Sequence, residues 1–327
     1  MNTKKIKLGI ICPSDVAFRR FMPALNKDNS FEFVGIGIEY ERQEERAKEF
    51  IKHYGGKIFP SYKDIAISPE LDALYIPLPP ALHYKWAKEA LQSKKHVLLE
   101  KPSSTCAKHT QDLITIAQKE NLALHENYMF VFHKQISEIN ALIQSGAVGE
   151  VRLYRISFGF PLRAKNDFRY NKDLGGGALL DAGGYTLKYA RLLLGESARI
   201  TFSQSNYIDG FEVDMYGSAT LVNDYGVTAQ VSFGMDNNYK CSLEVWGSKG
   251  TLNTNRVLTA PVGFTPEVLI EKNGVIDKIA LSEDDTFFNS IQYFKSCIFD
   301  EQKREQSYKN IQAQACLVEQ FKNYSNK

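Results

Sequence analysis

Two short stretches hold the residue types that carbonyl chemistry needs. His96-Val97-Leu98-Leu99-Glu100-Lys101-Pro102 is an apolar strand pattern ending in a charged pair and a proline. Much further along, Asp181-Ala182-Gly183-Gly184-Tyr185 follows Gly175, Gly176 and Gly177 and sets a carboxylate and a phenol four residues apart. A lysine and a tyrosine delivered from separate parts of a chain suit the reduction of a carbonyl by hydride. The alkoxide that forms must be protonated, and a phenol with an ordinary pKa near ~10 is matched to neutral pH by a nearby cation. Tyr185 is the candidate general acid. Lys101 is the candidate cation, because an ammonium has three donors and no acceptor and can serve a substrate oxygen and a ribose hydroxyl together. Asp181, four residues from Tyr185 on a helix, shares its face and either binds a sugar hydroxyl or orients Lys101. Gly183 and Gly184, at roughly 1 kcal/mol each against alanine in a helix interior, imply that another chain or a ligand approaches this backbone closely.

The elements that must position these groups fall into two sets. In the first third, strand patterns at 7–11, 31–38, 73–77, 96–99 and 122–126 alternate with helical ones at 18–25, 42–54, 83–91 and 107–120. Strict alternation means a parallel sheet covered on both faces, since parallel neighbours need a crossover. Residues 1–125 therefore read as an α/β, doubly wound domain. Residues 126–327 read as an α+β domain. A helix at 135–145 and a strand at 151–160 precede a helix that runs to Leu194 and stops at Gly195. Strands at 200–207, 216–222, 228–233 and 243–246 follow, with hairpin turns at Asn223-Asp224-Tyr225-Gly226 and Asn273-Gly274. Helices at 286–298 and 308–323 close the chain. Successive strands with tight turns imply a large, mostly antiparallel open sheet.

The turn after the first strand decides whether a dinucleotide fits. The usual pattern there is G-x-G-x-x-G/A, for a tight turn and close approach of amides to a pyrophosphate. Here Cys12 and Ser14 stand at the first two glycine positions and Ala17 at the third, and Pro13 has no N–H to give. The position survives: amides of Ser14, Asp15, Val16 and Ala17 open a helix and can face an anion, and Ser14 can add its hydroxyl. These residues alone leave a cofactor loop and a structural turn equally open. At the end of the second strand lie Glu39, Glu41 and Arg42. An acid there binds a ribose 2′-OH, whereas an arginine accommodates a 2′-phosphate. Arg42 favours NADP(H); the acids keep NAD(H) open. Ligands of open parallel sheets sit outside the carboxyl ends of the strands, where Leu78-Pro79-Pro80 and Glu100-Lys101-Pro102 fall.

Composition narrows the field. A chain of 327 residues exceeds the ~250–300 at which single cores stop growing, which suits two domains. A net charge of +2 offers no basic face for nucleic acid. No apolar run approaches the ~18 residues needed to cross a bilayer, and the basic start, 1–7, leads into a strand pattern instead of a signal-peptide core. Cys12, Cys106, Cys241, Cys297 and Cys316 are odd in number, with no C-x-x-C pair, and the six histidines are dispersed. That argues against a metal centre and for reduced thiols in the cytoplasm. A large sheet with one bare face predicts pairing into a homo-oligomer, a dimer or tetramer.

Several segments, in order and over nearly the whole length, resemble the glucose–fructose oxidoreductase / inositol dehydrogenase / rhizopine-catabolism (Gfo/Idh/MocA) family. They are Arg19-Arg20-Phe21-Met22-Pro23-Ala24-Leu25, Ile76-Pro77-Leu78-Pro79-Pro80-Ala81-Leu82-His83 and Glu100-Lys101-Pro102, the most specific signature. Glu126-Asn127-Tyr128-Met129, Gly146-Ala147-Val148-Gly149-Glu150-Val151, the 175–185 segment and Trp246-Gly247-Ser248-Lys249-Gly250-Thr251-Leu252 follow. The resemblance implies an N-terminal Rossmann domain and a C-terminal open-sheet domain. It implies cofactor contacts from Cys12, Pro13, Ser14, Asp15, Val16, Arg42, Leu78, Pro79, His83, Glu100 and Lys101. Catalysis falls to Lys101, Tyr185 and Asp181, substrate contact to Tyr128, Arg169, Asp181 and Tyr185, and no metal is implied. Many members carry histidine where Tyr185 stands. The tyrosine branch includes dihydrodiol dehydrogenase and sugar 3-ketoreductases, mostly with NADP. Departures are Cys12 and Ser14 for glycines, Val131 for an arginine and Lys134 for a proline. The expected activity is hydride transfer between NAD(P)(H) and a sugar or polyol, above all keto-sugar reduction. A diol- or inositol-type dehydrogenase is the enzymatic alternative; a non-catalytic dinucleotide or metabolite sensor is the alternative from another class.

Overall fold

The computed structural model describes residues 5–325; the expectation for the basic start at 1–4 lies outside them. The chain forms two compact units, Met1–Asn127 with Phe287–Ala315, and Tyr128–Thr286 with Cys316–Lys327. In the first, the strands are β1 (Ile6–Ile11), β2 (Phe31–Gly37), β3 (Lys57–Phe59), β4 (Ala73–Ile76), β5 (His96–Leu99) and β6 (Leu124–Glu126). The helices are α1 (Met22–Leu25, entered through a π turn at Ala17–Phe21), α2 (Glu44–Tyr54), α3 (Tyr62–Ile67), α4 (Pro80–Gln92) and α5 (Ala107–Lys119). The sheet is parallel with order β3-β2-β1-β4-β5-β6. Strand order reverses beside β1, the position at which doubly wound sheets open a crevice outside their carboxyl ends. Ile76 pairs with Leu99 and Leu99 with Glu126, so the segments after β4, β5 and β6 emerge at that end together. The four residues of β4 are all buried, as is expected of a strand covered on both faces.

The second unit holds α6 (Lys134–Gln144), β7 (Val151–Gly159) and α7 (Gly184–Leu194). Strands β8 (Arg199–Asn206), β9 (Tyr216–Val222), β10 (Thr228–Gly234), β11 (Lys240–Gly247), β12 (Thr251–Asn255), β13 (Glu267–Lys272) and β14 (Val275–Ala280) complete it. Their sheet runs β14-β13-β12-β11-β7-β10-β9-β8. It is antiparallel except where β7 and β10 lie parallel. Alternation along each strand gives the sheet two unlike faces. Ile156, Val231, Leu243 and Val245 are buried in one core with Leu187, Tyr189 and Ala190 of α7. The intervening positions are polar: Arg155 donates to Glu244 (2.8 Å) and Gln230 (3.2 Å), and Ser157 lies 2.9 Å from Ser232. This outer face carries a groove of about 690 Å³ lined by Arg155, Glu244, Asn253, Arg256, Phe264 and Lys278.

The last helices, α8 (Thr286–Phe299) and α9 (Glu301–Ser325), differ from the single division at residue 125. Residues 287–315 pack with the first unit, because that is where their apolar and polar partners are. Tyr308 and Ile311 are buried in its core. Ser307 Oγ donates to the Leu124 carbonyl (2.8 Å), and Asp28 accepts from Lys295 and Gln292, each at 2.6 Å. Among the described residues no helix is long and apolar enough to cross a membrane, and no cluster of His, Cys, Asp and Glu could hold a metal ion.

Candidate active site

At the end of β1 the chain turns through Cys12, whose φ of +83° is the left-handed conformation that glycine normally supplies. The turn thus keeps its shape without its glycine. Ser14 N donates to the Cys12 carbonyl (2.9 Å), and Ser14 Oγ accepts from Ala17 N (3.2 Å). Two of the four expected amides, those of Ser14 and Ala17, are therefore spent inside the turn, while the Ser14 hydroxyl, an acceptor there, keeps its own proton to donate. The amides of Asp15 and Val16 remain at the helix N-terminus for an anion. The Asp15 carboxylate, 75% exposed, pairs with Arg46 of α2 at 2.7 Å, which offsets its repulsion of a phosphate. A dinucleotide's anionic end fits this donor set.

The segment after β2 is folded around Gln43. Gln43 Oε1 accepts from the amides of Glu39 (2.8 Å) and Tyr40 (3.1 Å). The Glu39 carboxylate accepts from Tyr62 N, the first helical amide of α3, at 3.1 Å. Arg42 lies over the Tyr40 ring, 4.8 Å from its centroid, and that ring is 51% exposed. Of the two acids near Arg42, Glu39 is engaged by the protein.

Beyond β5, Glu100 Oε1 accepts from Tyr75 Oη and from Asn127 Nδ2, both at 2.7 Å. Burial pushes the Glu100 carboxyl's pKa up, outweighing those hydrogen bonds and the charge of Lys101. Asn127 is itself fixed: its amide donates to the Leu99 carbonyl (2.8 Å), and its Oδ1 accepts from Ser290 Oγ of α8 (2.7 Å). Ser103 N donates to Glu126 Oε1 at 2.7 Å, and the Lys101–Pro102 bond is cis. Lys101 is thus carried on a segment tied down on both sides. His83, expected to touch a cofactor, is fully buried instead. Its ring nitrogens lie 2.7 Å from the carbonyls of Pro102 and Leu78. Burial holds its pKa down to about 4, so the ring is neutral and its one N–H serves one carbonyl at a time. It is a strut that joins the loop after β4 to the loop after β5; Pro79 is the cap residue before α4. A histidine in a motif carries no sign of which way its ring faces.

In the second unit, the helix that bears Tyr185 opens with a π turn at Leu179–Gly183 before α7 proper. Such wide turns recur at functional sites. The phenol of Tyr185, 8% exposed, has its hydroxyl 3.7 Å from Met129 Sδ. Tyr128 (5.2 Å), Phe158 (5.4 Å) and Phe130 (5.7 Å) surround its ring. Gly183 and Gly184 do permit close approach, but by this chain's own rings. A methyl group on Gly183 would lie 2.9 Å from Phe233, and one on Gly184 would overlap Tyr128 Oη. Asp181 pairs with Arg169 Nε at 2.7 Å, and Arg169 also reaches Asp167 at 3.1 Å. Asp181 is therefore a counter-ion of Arg169, a partnership the sequence spacing did not suggest. Asp214 accepts from Leu179 N (2.7 Å) and caps the π turn.

Within the first unit the fold collects Cys12, Asp15, Arg42, Glu100 and Lys101 on segments leaving the strands' carboxyl ends. Within the second it joins Tyr128 to Tyr185 and Arg169 to Asp181. Tyr75, Asn127, Gln43 and Tyr62 were not singled out as site residues. An asparagine directly after the last strand of a parallel sheet is the one sequence signal that pointed there.

Comparison with known proteins adds an independent line. Residues 7–128 match the model of an oxidoreductase family with an NAD-binding Rossmann fold, and residues 136–253 match the GFO/IDH/MocA C-terminal domain. A dTDP-3,4-didehydro-2,6-dideoxy-alpha-D-glucose 3-reductase of Actinomadura kijaniata is 36% identical over 319 residues, 97% of this chain and 95% of that one. The enzyme of the same name from Saccharopolyspora spinosa is 33% identical over 89% of this chain and 87% of its own. A crystal structure of a 3-ketoreductase from Actinomadura kijaniata, in complex with NADP and TDP-benzene, superposes with a TM-score of 0.94 at 34% identity, covering 98% of each chain. That ketoreductase has also been solved with a tyrosine replaced by phenylalanine and with a lysine replaced by alanine or glutamate.

Proposed function

The chain belongs to the Gfo/Idh/MocA oxidoreductase family, and from that premise we propose that it is an NADP(H)-dependent keto-sugar reductase whose substrate is a dTDP-linked deoxy-keto-sugar reduced at C3. The observation that carries this reading is full-length similarity to 3-reductases of such sugars, at 36% identity, joined to an intact Lys101 and Tyr185. The residue types replaced in the solved variants, a lysine and a tyrosine, are the two singled out here. Residues 1–125 bind the dinucleotide and residues 126–327 the sugar, with 287–315 lending structural support to the first.

When bound, reduced nicotinamide supplies the hydride. Tyr185 gives its phenolic proton to the substrate oxygen; its aromatic surroundings exclude water from that hydroxyl. Lys101 polarises the same oxygen and favours the phenolate left behind. Glu100, held by Tyr75 and Asn127, fixes the segment that presents Lys101. Arg169, neutralised by Asp181, orients the sugar. The amides of Asp15 and Val16 receive the pyrophosphate, and Arg42 the 2′-phosphate. The enzyme acts in the cytoplasm as a homo-oligomer, supported by the bare outer sheet face where Trp246 is 51% exposed.

The test is to mix the purified protein with NADPH and a dTDP-3-keto-deoxysugar and follow loss of NADPH absorbance. Consumption that matches the alcohol formed supports the reading. Tight NADPH binding with no turnover on keto-sugars, free or nucleotide-linked, would leave the sensor alternative standing.

A further inference from the structure

Gln43 joins three segments of the first unit that the cofactor reading had treated separately. Its Oε1 accepts from the amides of Glu39 and Tyr40 at 2.8 and 3.1 Å, closing the segment after β2 on itself. Its Nε2 donates to Tyr62 Oη at 2.6 Å and to Cys12 Sγ at 3.4 Å. Tyr62, buried at the start of α3, shares the Gln43 amide with the Cys12 thiol and holds the Glu39 carboxylate through its own backbone amide. The thiol at the first glycine position is thus an anchor that a glycine could not provide.

The consequence lies in which side chain the segment presents. Glu39 is the acid placed to select a ribose 2′-OH and to repel a 2′-phosphate. It is drawn back onto the N-terminus of α3, where a carboxylate is favoured. Arg42, stacked on the exposed Tyr40, is left as the charge that a nucleotide meets. We propose that the Gln43–Tyr62–Cys12 clasp is a specificity-determining device: by holding Glu39 back and Arg42 forward it sets the preference for a 2′-phosphorylated dinucleotide. Gln43 is a positioning residue, acting through Arg42 and Glu39 without touching the cofactor. This rests on the NADP(H) reading above.

The test uses the adenosine end alone, so that catalysis does not enter. Dissociation constants of the whole protein for 2′,5′-ADP and for 5′-AMP, which differ only by the 2′-phosphate, are measured by calorimetry. The wild type is expected to prefer 2′,5′-ADP by tenfold or more. Gln43→Leu should cut that ratio at least threefold, mainly by weakening 2′,5′-ADP. Gln43→Glu keeps an acceptor for the two amides but loses the donor to Tyr62 and Cys12, and should fall between. Arg42→Ala should abolish the preference, and adding Gln43→Leu to it should move the ratio only further from 2′,5′-ADP, through the released Glu39. A folded Gln43→Leu or Gln43→Glu protein with the wild-type ratio overturns the clasp while leaving the cofactor reading intact. So does a wild type that binds both nucleotides equally. Binding of neither nucleotide, nor of NADPH, by the wild type overturns the cofactor reading and the clasp with it.

Discussion

Replacing Gly184 by alanine separates two opposing effects whose sizes follow from the structure. Gly184 is helical, with φ −54° and ψ −36°, so alanine by itself stabilises by about 0.4–1 kcal/mol through the unfolded state. The new methyl group, however, overlaps Tyr128 Oη and lies 3.2 Å from its Cζ. Relief requires the ring to shift by about 1 Å to reach ordinary contact distance. Tyr128 is 1% exposed and has little room. Overpacking of this kind costs about 1–3 kcal/mol, so set against that gain the net effect is a loss of up to about 2.5 kcal/mol. Because Tyr128 packs edge-on against Tyr185 at 5.2 Å, the shift reaches the phenol, and a displacement of about 1 Å at a reacting group can cost ~10²-fold in rate. Urea unfolding and steady-state turnover measure the two effects. NADPH affinity, which the proposal assigns to residues 1–125, should stay within about twofold. Tyr128→Phe removes the atom in the way, so combining it with Gly184→Ala should recover about 1 kcal/mol, seen as a coupling energy in a double-mutant cycle. A Gly184→Ala protein that is more stable than wild type, with unchanged turnover, would refute the argument.

Tyr185→Phe should lower turnover by ~10²-fold or more while NADPH fluorescence titrations remain unchanged; full turnover would remove the phenol from the mechanism. Asn127→Leu strips Glu100 of one hydrogen bond and Ser290 of its acceptor, and should destabilise by about 1–3 kcal/mol with a fall in turnover. Wild-type turnover in a folded Asn127→Leu protein would mean that this network does not position Lys101. His83 has its pKa held at about 4, below an unfolded value near ~6.5. The stability it provides is complete above that unfolded value and is lost as pH falls towards about 4. The stability gap between wild type and His83→Gln should therefore narrow from pH 7 to pH 5 in chemical denaturation, and a gap independent of pH would contradict the strut.

Where the sequence was readable, a short-range signal did the telling. The run at 96–99 became β5 with unchanged ends because the apolar Val97, Leu98 and Leu99 meet a charged pair and a proline. The strand at 216–222 was equally plain from its alternation. By contrast β3 has only three residues, too few for any period, and α3 after it has six. β14 is exposed almost throughout, so it lacks the alternation that marks a half-buried strand. α9 begins at Glu301, before the apolar positions that suggested residue 308, since Glu301 to Gln306 is charged or polar throughout. Lys101 and Tyr185, the proposed cation and acid, stood out by type and setting. Their supports did not, because Asn127 to Ser290 or Cys12 to Gln43 are contacts between distant positions. The paired glycines were rightly read as a place of close approach, but only coordinates show that the visitors are Phe233 and Tyr128.

Residues 287–315 have a bearing on how the protein is born. The sheet of the first unit leaves the ribosome early, yet its core lacks Tyr308 and Ile311 until residues 128–286 have been made. Everything from 128 to 286 must be synthesised in between, a delay on the order of ten to thirty seconds at ~5–20 residues per second. For that interval the nascent polypeptide exposes an apolar patch that Tyr308 and Ile311 later cover, the kind of surface that invites aggregation. A product truncated before residue 308 keeps that patch bare.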